Sequence, residues 1–342
     1  MGSSQRLLSL GMALLGGILY VNANAAESPY ARLESRDPRF DALIAPDTKI
    51  QKIADDLKWS EGPLWVAKTR TLLFSDIPRN VIMQWSEDKG VTTFLERSGY
   101  TGAAPFAGYE PGSNGLTLDL QGRLTLCQHG DRRISRREAD GTMVPLAVGF
   151  NGKKLNSPND LVFDQQGNLY FTDPPFGLPK QFDDPGKELP FNAVFRVASD
   201  GAIAAVVTDL EAPNGLGFSP DYKTLYVANA RATSPIWMAY AVRADGSLDK
   251  GRVFADSSAL YNKGDGVPDG LKVDVQGNVF ATGPGGVLVY APDGTLLGRI
   301  LTGVPTANVA FGEDGATLFI TANHRVLRLR TRTKGVPLPA DK

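Results

Sequence analysis

The chain has a single cysteine, two histidines and a net charge of −1, from 36 basic and 37 acidic residues. Cys127 has no partner for an internal disulfide, and its setting in LTLCQ predicts a buried, inert thiol. The near balance of charge provides no overall field to favour nucleic acid or an anionic membrane. Long apolar runs are missing everywhere except the N-terminus, so no later segment is long enough to cross a bilayer. A core is not lacking: 42% of the 342 residues are apolar and 21% are charged, the balance of a folded chain. The partner expected from these bounds is a small molecule.

At the N-terminus, Arg6 precedes the apolar run LLSLGMALLGGILYV, which ends in NANAAES with small residues at Ala23 and Ala25. This predicts a secretory signal peptide over residues 1–26, cleaved near Ala25 or Ala26. A retained anchor is the alternative, but the run is short for a span and a good cleavage site follows it. The mature protein is expected to be exported, periplasmic or secreted, and free of the membrane after cleavage.

One pattern recurs along the chain. SNGLTLDLQGRLTLCQ starts at Ser113, SPNDLVFDQQGNLYFTD at Ser157, APNGLGFSPDYKTLYVAN at Ala212 and VPDGLKVDVQGNVFATG at Val267. Looser copies, SEGPLWVAKTRTLLFSD from Ser60 and TANVAFGEDGATLFITAN from Thr306, bracket these four. A spacing of roughly 40 to 55 residues is that of a four-stranded propeller blade. Between copies, ADGT, SDGA, ADGS and PDGT read as hairpin turns. The fold class expected is all-β, a six-bladed β-propeller over residues 46–332 with a metal ion in the central channel. Residues 27–45 form an N-terminal extension and 333–342 a C-terminal tail. The strand candidate in TKIQKIADDLKW is expected to supply the outer strand of the last blade and so close the ring.

If each copy starts on the inner strand of a blade, the long irregular connections (SDIPRN, CQHGDRR, TDPPFGLPKQFDDPGKELP, NARATSP, ATGPGG and TANHR) all reach one face. The first residues of the inner strands are then Glu61, Asn114, Asn159, Asn214, Asp269 and Asn308, a ring of oxygen donors near that face. Asn-Gly and Asp-Gly at 114, 214 and 269 are also common turn formers. Turn chemistry does not require carboxylates or carboxamides at six aligned positions, and it does not explain Glu61. Unpartnered, such groups cost roughly 1 to 3 kcal/mol each, a cost that a bound cation removes.

Oxygen donors without Cys or His suit a hard divalent ion. Ca²⁺ is favoured because its flexible shell accepts several side-chain oxygens; Mg²⁺ and Mn²⁺ are alternatives, and Zn²⁺, which prefers nitrogen or sulfur, is the outlying one. Glu61 and Asp269 would neutralise the charge of the ion, and the amides would add coordination.

SEGPLW, LNSPNDLVFD, FTDPPFG, APNGLGFS and VPDGLKVD resemble the senescence marker protein/gluconolactonase/luciferin-regenerating enzyme family, especially its bacterial gluconolactonase-like members. The resemblance runs from about Leu57 to the last copy. It implies a six-bladed propeller and a metal-dependent hydrolase opening sugar lactones such as gluconolactone. It also implies Glu61, Asn214 and Asp269 as metal ligands, with Asn159 on metal or substrate. Vertebrate members of the family carry a substrate-contacting Arg where Ser157 stands here, so the substrate pocket need not be theirs. A phosphotriesterase or arylesterase on the same propeller, or a binding propeller with a structural ion, are the alternatives.

Lactone opening needs a polarised carbonyl and a deprotonated water, roles for the cation and a base. Asp269 is the candidate base, with His129 in CQHGDRR as its competitor. Asn114, Asn159, Ser157 and His129 are the candidates to bond substrate hydroxyls. Tyr100, Phe106, Tyr109 and Phe176 could offer apolar walls to a sugar ring or simply pack their loops. The run DRRISRRE reads as a solvated outer strand, with Arg132 or Arg133 as possible carboxylate contacts.

Overall fold

The Asp-Gly pairs between copies turn the chain as their chemistry requires. The side chains of Asp140, Asp200, Asp245 and Asp293 each accept a hydrogen bond from the backbone N–H two residues on, and the intervening Gly141, Gly201, Gly246 and Gly294 have φ between 78° and 90°. Those positive angles suit glycine, which carries no Cβ to clash. The turns that end the inner strands use the same device, with Asp119, Asp164 and Asp274 each accepting two backbone N–H groups.

In the computed structural model, which describes residues 28–262 and 265–341 together with Met1, these turns join six antiparallel four-stranded sheets. The inner strands are Ser60–Val66, Ser113–Leu118, Leu161–Phe163, Pro213–Phe218, Leu271–Val273 and Asn308–Gly312, here numbered blades one to six. The expected signal peptide lies outside the described residues. Among the described residues, no helix is long and apolar enough to cross a membrane.

The outer strand of blade six is Gln51–Ala54, paired antiparallel with Arg325–Arg330, so the two ends of the repeat region close the ring as expected. The N-terminal extension packs on the neighbouring blade. Arg32–Ser35 adds a fifth strand to blade five, and the short helix Pro38–Leu43, capped by Asp37, buries Phe40 and Leu43 against it.

The core is divided among the blade interfaces. Each of the six contacts between neighbouring blades has its own cluster of buried apolar side chains. At the closing joint, Trp65 of blade one stacks on Phe319 of blade six with centroids 5.5 Å apart. Cys127 is fully buried between blades two and three, where burial pushes its thiol well above the usual range and leaves it inert. Beyond blade six, residues 333–341 cross the far face. Val336 donates to Val273 O and Val275 to Lys334 O, and Leu338 packs on the cluster between blades one and two.

Candidate active site in the central channel

Backbone pairing places the starts of the inner strands at equivalent positions around the axis. Asn159 N donates to Thr172 O, Asp269 N to Thr282 O and Ala307 N to Thr321 O, at 2.8 to 3.0 Å. Neighbouring inner strands are bonded as well, Gly115 N to Asn159 O and Gly270 N to Ala307 O, both at 2.8 Å. Glu61, Asn114 and Asn214 take the second position of their inner strands, and Asn159 and Asp269 lie two residues before theirs, all at the entry to the strand as the repeats imply. Blade six corrects the reading: Ala307, not Asn308, occupies the ring position, and Asn308 lies one residue further along the strand. Its N–H bonds Thr321 Oγ1 as Asp160 N bonds Thr172 Oγ1, so Asn308 matches Asp160.

The glycines after the ring residues are needed for close approach. A Cβ on Gly62 would lie 2.2 Å from Asn114 O, on Gly115 2.7 Å from Asn159 O, and on Gly215 2.3 Å from Asp269 O. Gly115, Gly215 and Gly270 have no positive φ, so their Asn-Gly and Asp-Gly pairs are not turns. Blades are drawn together around the axis because these positions carry no side chain.

The ring is nearly sealed. Glu61, Asn114, Asn159 and Asn214 are between 2% and 5% exposed, whereas Asp269 is only partly buried. Glu61 Oε2 accepts from Gly62 N at 2.8 Å. Asn214 Oδ1 and Asp269 Oδ1 are buried without a hydrogen-bond partner. Burial, followed by the charges of neighbouring carboxylates, raises the Glu61 and Asp269 carboxyls; Asp160 and Glu110 act on both. Unpartnered buried oxygens and mutually repelling carboxylates fit a cation, which would satisfy the first and neutralise the second. Among the described residues, no three His, Cys, Asp or Glu side chains form a metal-binding group by themselves, so the Asn oxygens would have to complete the shell.

His129 is fully buried behind Asn114. Its Nε2 lies 3.3 Å from Asn114 Nδ2, and its Nδ1 lies 3.1 Å from Glu110 Oε2 without the alignment of a hydrogen bond. With Nε2 accepting from the amide, Asn114 Oδ1 is left for the channel. Ser157, expected to meet substrate, is committed elsewhere: its hydroxyl donates to Pro174 O at 2.6 Å and accepts from Gly177 N at 2.9 Å, pinning the PPFG loop.

Arg132 likewise ties loops together, through Leu155 O and Gly186 O, and Arg133 pairs with Asp131 and Gln128. Tyr100 packs on Phe106 and Phe176 on Phe182, while Tyr109 is 72% exposed. Sequence reasoning missed Asp160 and Glu110 as members of the site. Asp160 carried a signal, since it stands where four other copies have glycine; Glu110 lies in a loop between copies, where the repeat says nothing.

A family model described as SMP-30/Gluconolactonase/LRE-like region matches residues 59–324. A gluconolactonase of Zymomonas mobilis is 41% identical over 320 residues, covering 91% of this chain and 89% of that protein. A pentonolactonase of Haloferax volcanii is 30% identical over 268 residues, covering 76% of this chain and 80% of its own length. The solved structure of a gluconolactonase from Xanthomonas campestris superposes with a TM-score of 0.76 at 36% identity, covering 88% of this chain and 94% of that one.

Proposed function

The chain belongs to the SMP-30/gluconolactonase/LRE-like family, and from that premise we propose that it is a divalent-metal-dependent hydrolase that opens sugar lactones. The observation that carries this reading is the ring of oxygens at the inner-strand starts, with Asn214 Oδ1 and Asp269 Oδ1 buried and unpartnered. Glu61, Asn159, Asn214 and Asp269 would hold the ion, Ca²⁺ by donor type. When bound, it supplies Lewis acidity at the lactone carbonyl.

The chain's own groups supply the rest. Water adds to the carbonyl carbon, the ring C–O bond breaks, and the released alkoxide takes up a proton to give the hydroxy acid. Asp269, whose Oδ1 has no hydrogen-bond partner, accepts the proton from water at its carboxylate. Asn114 and Asn159 bond the hydroxyls of the substrate, and His129 serves by fixing the Asn114 amide. A site built of such donors rejects analogues lacking hydroxyls, because its polar groups would go unpaired. Export through the N-terminal signal belongs to the same reading. It is checked by the N-terminal sequence of the mature protein, which should start just after Ala25 or Ala26.

The test is a hydrolysis panel of gluconolactone, an unsubstituted lactone of the same ring size, an aryl ester and a phosphotriester, with and without chelator. Gluconolactone should be opened with the highest kcat/KM after correction for spontaneous opening, and chelation should abolish turnover until a divalent ion is restored. Full activity after verified metal removal overturns the metal dependence. A preference for the aryl ester or the phosphotriester overturns the substrate class.

A further inference from the structure

We propose that the far half of the central channel is a second binding site, for an amphipathic monocarboxylate: an apolar chain ending in one carboxylate, of the kind found in medium-chain fatty acids. Below the ring, the channel opens into a cavity of about 410 Å³, walled by Leu116, Leu161, Phe163, Leu216, Phe218 and Val273. That volume lies within the range of small-molecule sites. The walls come from residues further along the same inner strands that carry the ring at their starts, so the cavity faces away from the candidate active site. The segment 334–339 lines its far side, held by the backbone bonds of Val336 and Val275.

The charges at the cavity are asymmetric. Four ionisable side chains other than Tyr222 line it: Lys272, Lys334, Glu313 and Asp314. Both acids already face guanidinium groups, with Arg328 shared between Glu313 and Glu87. Glu313 pairs with Arg328 at 3.3 Å and Arg330 at 3.7 Å, and Asp314 with Arg330 at 2.7 Å, a guanidinium that holds its carboxyl far below the usual range. Neither lysine forms an ion pair among the described residues; the one bond from Lys272 Nζ is to Leu271 O, at 3.0 Å. An apolar chamber flanked by two ammonium groups without ion pairs, half-buried Lys272 and exposed Lys334, complements an apolar body with one negative end. The orientation follows from charge. The carboxylate stays at the lysines, and the chain points toward the ring, whose own carboxylates would repel the head group.

The test is calorimetric titration of the mature protein with decanoate below its micellar concentration, beside decanol and decyltrimethylammonium. Decanoate should bind at one site at least about tenfold more tightly than either neutral or cationic analogue, the expected value of one charge-assisted contact. Lys272→Met and Lys334→Met should each weaken decanoate severalfold while leaving decanol affinity, melting temperature and lactone turnover unchanged; Lys153→Met, on a distant exposed hairpin, should change nothing. Equal affinity for decanoate and decanol overturns the proposal, as does decanoate binding that ignores both lysine variants, or no binding at all. Lactone turnover is read separately, so failure here leaves the proposed function standing.

Discussion

Asn308 of blade six donates from Nδ2 to Oδ2 of Asp160 in blade three, 3.3 Å across the centre of the propeller. Blades three and six face each other in a ring of six, so this bond spans the channel. Each partner is fixed by a backbone donor, Leu161 N to Asp160 Oδ1 and Val309 N to Asn308 Oδ1. The pair forms a polar floor that separates the oxygen ring above from the apolar chamber below.

Removing one side of that floor should cost stability. Asn308→Ala leaves Asp160 Oδ2 buried without this donor, an expected loss of about 1 to 3 kcal/mol in urea unfolding. Asn308→Asp should be worse, because it opposes two carboxylates beside Glu61. An Asn308→Asp protein as stable as the parent in metal-free buffer would show that the floor does not matter.

The ring carboxylates should set metal affinity. Glu61→Gln and Asp269→Asn each remove one negative charge and should weaken divalent-ion binding roughly tenfold or more, read by titration into metal-free protein. Asp269→Asn should also lower kcat at saturating metal, whereas Glu61→Gln should recover part of its turnover as the ion is raised. Recovery of full turnover by Asp269→Asn would remove that residue from proton transfer.

His129 should act on specificity through Asn114. His129→Ala releases the Asn114 amide and should lower kcat/KM for a hydroxylated lactone by on the order of 10 to 100-fold, with a smaller loss for the unsubstituted ring. His129→Gln keeps an acceptor in reach and should rescue part of the loss. Equal losses for both lactones, with no rescue, would mean that His129 is there for packing alone.

Asp173 should make stability depend on pH. Burial raises its carboxyl from 3.8 to about 7, against the backbone bonds from Asn156 and Ser157 and the charges of Arg132 and Lys187. The fold therefore favours the protonated form. Its contribution is fully present below pH 3.8 and is lost as pH rises through about 7, a change on the order of a few kcal/mol. Asp173→Asn, which keeps an acceptor for Asn156 N, should flatten the unfolding free energy across that window. An unchanged slope would assign the pH dependence to other groups.

Much of this was readable along the chain because a propeller repeats. Five of six ring residues were found from aligned copies, since a fixed period puts equivalent residues at equivalent backbone positions. The sixth was misplaced by one residue in the loosest copy, and in a strand one residue exchanges the two faces, so Asn308 belongs to the floor and Ala307 to the ring. The Asn-Gly pairs resembled turns because the dipeptide is ambiguous. Only the neighbouring blade, with Asn159 O or Asp269 O where a Cβ would stand, shows why glycine is needed.

The sequence by itself determined the six blades, the closing N-terminal strand and the type of donor at the ring, because each follows from local periodicity, turn chemistry or residue type. Tertiary structure alone decided which groups converge. Glu110 reaches His129, Asp160 meets Asn308 from the opposite blade, and Ser157 spends its hydroxyl on the loop of Pro174 and Gly177. Those contacts join segments that share no repeat register, and the closure of the ring is what brings them together.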